Sequence, residues 1–183
     1  MSEDIIVRHC SPTLAGMKTG NMFSYPFADE DEMRDSMRHW NQLLVRKGLR
    51  VLPLKFEDKR ALVYVYRVSS LSHDLKDDTV CRLLKERGYE TEMPERCIVQ
   101  LIRKLEGHGE FPHEIGLFLG YPPEDVCGFI ENRAQVCKLV GCWKVYGNEE
   151  KARKTFAKYK KCTDVYTAQF AGGRSIDRLT VAG

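Results

Sequence analysis

The chain has 183 residues, 43% of them hydrophobic and 30% charged, with a formal net charge of +3 and a mean hydropathy of −0.41. That length suits a single domain around one core, and the near-balanced charge gives no reason to expect a polyanionic partner. No apolar run is long enough to cross a bilayer, and the acidic start Met1-Ser2-Glu3-Asp4 lacks the plan of a secretory signal, so a cytoplasmic protein without membrane contact is expected.

In chain order, the apolar stretch Asp4-Ile5-Ile6-Val7-Arg8 reads as a short strand. It runs into Cys10-Ser11-Pro12, where Ser11 suits an N-cap and Pro12 a first helical position. The stretch Asn21 to Phe27, broken by Pro26, reads as a packed loop. A helix is predicted from Asp29 to Lys47, acidic at its start, basic at its end and stopped by Gly48. Its stripe of Met33, Met37, Trp40 and Leu44 reads as core. Leu49 to Leu54 and Ala61 to Val68, parted by Glu57-Asp58-Lys59-Arg60, read as a β-hairpin whose first arm, because of Pro53, is either an edge or an arm that ends early.

Further helices are predicted from Asp77 to Arg87, stopped by Gly88, and from Pro94 to the turn Gly107-His108-Gly109. The stretch Phe111 to Ile130 reads as two short helices joined at Gly120-Tyr121-Pro122. Its spacing fits a helix-turn-helix, but Glu124 and Asp125 open the second helix and would repel phosphates, so nucleic-acid binding is not expected. Cys137 to Tyr146 reads as a strand, Glu149 to Lys161 as a lysine-rich helix, and Asp164 to Phe170 as a last strand. This β-α-β run favours a parallel pair, with an antiparallel return as the alternative. The expected fold is one α+β domain over residues 1–183, a mixed sheet of about five strands covered by about six helices.

Three stretches carry a resemblance: His9-Cys10-Ser11-Pro12-Thr13-Leu14-Ala15-Gly16 with Lys18, Phe111 to Pro122, and Gly141-Cys142-Trp143-Lys144-Val145-Tyr146-Gly147 with the helix after it. Together they resemble a family of small proteins from anaerobic, clostridial-type bacteria that is known only as a domain of unknown function. The resemblance implies a cytosolic protein of an anaerobe and brings no activity, cofactor or catalytic residue with it.

The sharpest chemical reading centres on Cys10. At the carboxyl end of a strand and the positive end of a helix, its thiol would be acidified, with Arg8 and Lys18 adding positive charge. Cys10 would then be a nucleophile or redox thiol in a cleft, with His113 as its base. Ser11, Thr13, Lys18, Thr19 and Asn21 would hold an anionic small molecule there. The bland reading is that Cys10 packs as a small hydrophobe. With seven scattered cysteines and no C-x-x-C pair, free thiols in a reducing compartment are expected.

His9, Cys10 and His113 have ligand chemistry for iron or haem but no chelating spacing, so no metal site is assigned and the cofactor stays unknown. The non-enzymatic alternative is a metal-, haem- or partner-binding protein that docks an acidic protein through helix 149–161.

Overall fold

The computed structural model describes residues 1–107 and 109–183, so the turn expected at Gly107-His108-Gly109 falls in part on a residue outside those described. The opening stretch is not a strand followed by a helix. Helix α1 runs unbroken over Glu3–Leu14, with Pro12 in its last turn. Ile6, Val7, Cys10 and Leu14 are fully buried, a spacing of helical period that the β-branched pair Ile6-Val7 disguises. Pro12 removes only one intrahelical N–H so close to the end. The helix stops where Gly16 takes a φ of 73° and the Met17 N–H returns to the Pro12 carbonyl at 2.8 Å.

The chain divides into two compact units, one made of Met1–Leu71 with Lys161–Gly183, the other of Ser72–Lys160. In the first, β1 (Gly20–Pro26) forms where a packed loop was expected. Pro26 ends that strand at a sheet edge, where a missing N–H is tolerated. Helix α2 (Glu30–Leu44) follows, N-capped by Asp29, whose carboxylate accepts from the Glu32 N–H at 2.9 Å. A 3-10 turn over Val45–Lys47 closes at Gly48, φ 80°.

The predicted hairpin is β2 (Leu49–Glu57) with β3 (Arg60–Arg67), turned by Asp58 and Lys59, both at positive φ. The sheet is antiparallel in the order β1-β3-β2 and carries a bulge between Pro53 and Lys55, so Pro53 does lie on an edge strand. Between α1, α2 and the sheet lies the core of Cys10, Met33, Met37, Trp40, Val51, Val63 and Val65, closed by Ile176 and Leu179.

Helix α3 (Val68–Asp74) begins where β3 ends, and α4 (Asp78–Glu86) follows. The Asp77 carboxylate caps α4 by accepting from the N–H groups of Thr79 and Val80. Next come α5 (Pro94–Glu106), α6 (Ile115–Phe118) and α7 (Pro123–Glu131), the last two matching the expected helical pair.

The C-terminal β-α-β expectation fails. Cys137 to Tyr146 is only a two-stranded ribbon, β4 (Leu139–Val140) against β5 (Lys144–Val145), turned at Gly141-Cys142-Trp143. Asp164 to Phe170 is not a strand but the end of a 23-residue helix, α8 (Glu149–Ala171). Cys162, Tyr166 and Phe170 recur at helical spacing on its covered side, while Val165, which an alternating strand would bury, is exposed. A last short helix, α9 (Ile176–Leu179), starts after Ser175. The α+β class holds, but in place of one mixed sheet of about five strands the described residues form a three-stranded sheet and a separate ribbon.

Candidate functional site

Cys10 does not stand at a strand end. It lies inside α1 with no exposed surface, and burial pushes its thiol far up, the Lys18 ammonium offsetting only part. The physical premises for a reactive thiolate, exposure and the positive end of a helix, are therefore absent. Ser11 is buried and donates its hydroxyl to the Val7 carbonyl, so it is no N-cap. Thr13 and Asn21 are brought together, the threonine hydroxyl donating to the asparagine Oδ1 at 2.7 Å. Lys18 and Thr19 are buried in the same unit.

The residue that organises this region is Arg67, which no sequence signal singled out. Its guanidinium, on a residue 3% exposed, donates to the carbonyls of Thr13, Leu14 and Val181 at 2.6 to 2.7 Å. It thereby satisfies the C-terminal carbonyls of α1 and ties down the chain near residue 181. Burial lowers its pKa. The Ser11 and Thr13 hydroxyls and the Arg67 guanidinium are thus all engaged within the fold.

His113 belongs to the other unit, and there the side chains do make a hollow. Asp125, 3% exposed on the first turn of α7, accepts from the Trp143 indole N–H and from the N–H groups of Tyr146 and Gly147, each at 2.7 Å. The acidic residue that counted against phosphate binding is thus an internal acceptor that fixes the ribbon to the helical pair. The Tyr121 ring lies 4.8 Å from Trp143, and its hydroxyl donates to the Cys142 carbonyl. Two glycines permit the approach. A Cβ at Gly128 would come within 2.4 Å of Tyr146, and one at Gly141 within 2.2 Å of Phe156.

The result is an apolar hollow of about 310 Å³, walled by Phe111, Tyr121, Val126, Phe129 and Trp143. His113 and Lys144 supply its polar edge. The His113 ring sits 5.5 Å from Phe111 and 5.0 Å from Phe129. The Lys144 ammonium donates to the Ala134 carbonyl at 2.7 Å and lies 5.9 Å from the Phe129 ring. That carbonyl belongs to an unusual segment. Arg133, Ala134 and Val136 all hold positive φ, between 48° and 61°, which for a β-branched valine is a strained backbone.

A second, more polar hollow of about 380 Å³ shares Tyr121, Asp125 and Trp143 as lining and reaches Tyr159 and Lys151. Burial pushes Tyr121 and Tyr159 up to about 12. Of the lysine-rich face expected to dock an acidic protein, Arg153 and Lys154 are already paired with Glu149 and Glu150. Among the described residues no three His, Cys, Asp or Glu side chains converge as a metal site.

The fold and the hollow define an α+β protein with a preformed cavity of ligand size and, among the described residues, no helix long and apolar enough to cross a membrane. The chain belongs to the family described as "Protein of unknown function (DUF3793)", whose model matches residues 6–180. No curated protein and no solved structure matches it.

Proposed function

We propose that this protein binds a small organic molecule, seating an apolar ring in the hollow between the α6–α7 pair and the β4–β5 ribbon. One observation carries the reading: four aromatic side chains, Phe111, Tyr121, Phe129 and Trp143, line a cavity of about 310 Å³ whose wall is braced by the three Asp125 hydrogen bonds. Ligand sites are concave, mostly apolar and edged by a few placed polar groups, and His113 and Lys144 are such groups here. Removing about 100 Å² of ring surface from water contributes about 2.5 kcal/mol of driving force. Thiol chemistry at Cys10 lacks this support, because a sealed thiol with a raised pKa meets no substrate.

The test uses N-phenyl-1-naphthylamine, a neutral dye that brightens on leaving water. In a Trp40→Phe variant Trp143 is the remaining tryptophan, so energy transfer from it locates the dye. Saturable transfer that weakens several-fold in Phe111→Ala and Phe129→Leu is expected. Dye binding indifferent to both substitutions, or no saturable binding, would sink the assignment.

A further inference from the structure

We infer that the molecule in this hollow is an acid, a flat apolar body carrying one sulfonate-, carboxylate- or phosphate-like group. The inference rests on the proposed ring site and extends it. Phe111, His113 and Phe129, which border the apolar hollow, also border a polar one of about 570 Å³ lined further by Arg87 and Arg133. A ligand with its ring in the first places a substituent across the His113 border into the second.

Arg87, Arg133 and Lys144 line the two hollows with three carboxylates, Asp125, Glu110 and Glu114, and Asp125 is already committed to its three N–H donors. Glu114 is committed: it is buried, accepts from the Tyr89 hydroxyl at 3.0 Å and lies 3.7 Å from the Lys104 ammonium and 3.9 Å from Arg87. Arg133 is exposed and, among the described residues, its guanidinium makes no hydrogen bond or ion pair. It stands on the strained left-handed segment that Lys144 holds through the Ala134 carbonyl. The His113 ring, between two phenyl rings, likewise has no hydrogen-bond partner among the described residues and offers a donor at the border. An uncommitted guanidinium and a ring donor that line one polar hollow, itself sharing Phe111 and Phe129 with the aromatic one, match a ring-bearing anion.

Two dyes with the same rings separate the two claims: neutral N-phenyl-1-naphthylamine and 1-anilinonaphthalene-8-sulfonate, its sulfonated counterpart. Arg133→Gln is expected to weaken the sulfonate roughly five- to ten-fold while leaving the neutral dye within about two-fold. Arg133→Lys should restore much of the loss, and added salt should weaken only the sulfonate. Near-UV circular dichroism confirms that each variant keeps its packing. If the neutral dye binds but Arg133→Gln shifts both dyes alike, or neither, the acid assignment is overturned and the ring site stands. If the neutral dye itself finds no site, the ring assignment fails and the acid with it.

Discussion

Replacing Asp125 by asparagine changes one atom and isolates the bond that holds the wall of the hollow. Its Oδ1 accepts from Tyr146 and Gly147, and Oδ2 accepts from the Trp143 indole, all at 2.7 Å. An asparagine oxygen keeps the two backbone bonds, but its amide then faces the indole N–H, donor against donor. A hydrogen bond to a charged group contributes about 1.5 to 3 kcal/mol, and a buried donor left unpaired costs a similar amount. Asp125→Asn should therefore destabilise the 72–160 unit by about 2 to 3 kcal/mol, and Asp125→Ala by about 4.

The assay is urea unfolding followed by far-UV circular dichroism, with Trp143 emission in a Trp40→Phe background reporting this unit separately. Trp143→Phe removes the opposing N–H, so in that background, where far-UV circular dichroism is the readout for both arms of the cycle, Asp125→Asn should cost about 1.5 kcal/mol less. A single-mutant cost under about 0.5 kcal/mol, the range of an ordinary surface change, or a cycle without coupling, would refute the reasoning.

Three further outcomes follow from the described contacts. Arg67→Met keeps the apolar stem but strips a charged donor from the carbonyls of Thr13, Leu14 and Val181, of which the first two keep the N–H groups of Gly16 and Val181, so a loss of about 2 to 3 kcal/mol is expected, read by Trp40 emission in a Trp143→Phe background; an unchanged urea midpoint would contradict it. Alkylation resolved by mass spectrometry should label the exposed Cys142 in the folded protein and spare Cys10 until unfolding, whereas rapid labelling of Cys10 would reopen the thiol reading. Tyr121 and Tyr159 are held protonated up to about 12 against an ordinary value of 10.0, so their stabilisation is complete below pH 10 and lost as the pH climbs through 12. The part of the tyrosinate absorbance at 295 nm that a Tyr121→Phe, Tyr159→Phe variant lacks should rise together with unfolding in that window, and a gradual rise of that part in folded protein would count against their burial.

Local signals were legible in the sequence where they were strong. The acidic start of α2 and its Gly48 stop, the Asp77 cap, the Pro94 and Pro123 starts and the β2–β3 hairpin all follow from cap and period chemistry. The errors come from short β-branched runs. Ile5-Ile6-Val7 and Val165-Tyr166-Thr167 have strand-like composition, but tertiary burial at helical spacing decides their state. Placing Cys10 at a strand end was a consequence of the first error, since the residue lies buried within α1.

His113 alone of the expected site residues lies on the hollow. Phe129 and Trp143 were hidden because an aromatic residue reads the same in sequence whether it packs or lines a cavity. Asp125 was read only as a surface charge, and Arg67 at a strand end carries no signal of its three distant acceptors.

The first unit is interrupted in the chain, with residues 72–160 lying between its two parts. During synthesis from the N-terminus its three strands leave the ribosome long before Ile176, Leu179 and Val181, which complete its core and its arginine clasp. The nascent sheet must therefore wait with part of its apolar face uncovered, while the intervening residues have their whole sequence available to fold. The proline and bulge on edge strand β2 then act as protection during that interval, since they block strand addition by neighbouring chains. A chain that stops before residue 176 lacks Ile176 and Leu179, so its sheet keeps apolar surface uncovered even when residues 72–160 are fully folded.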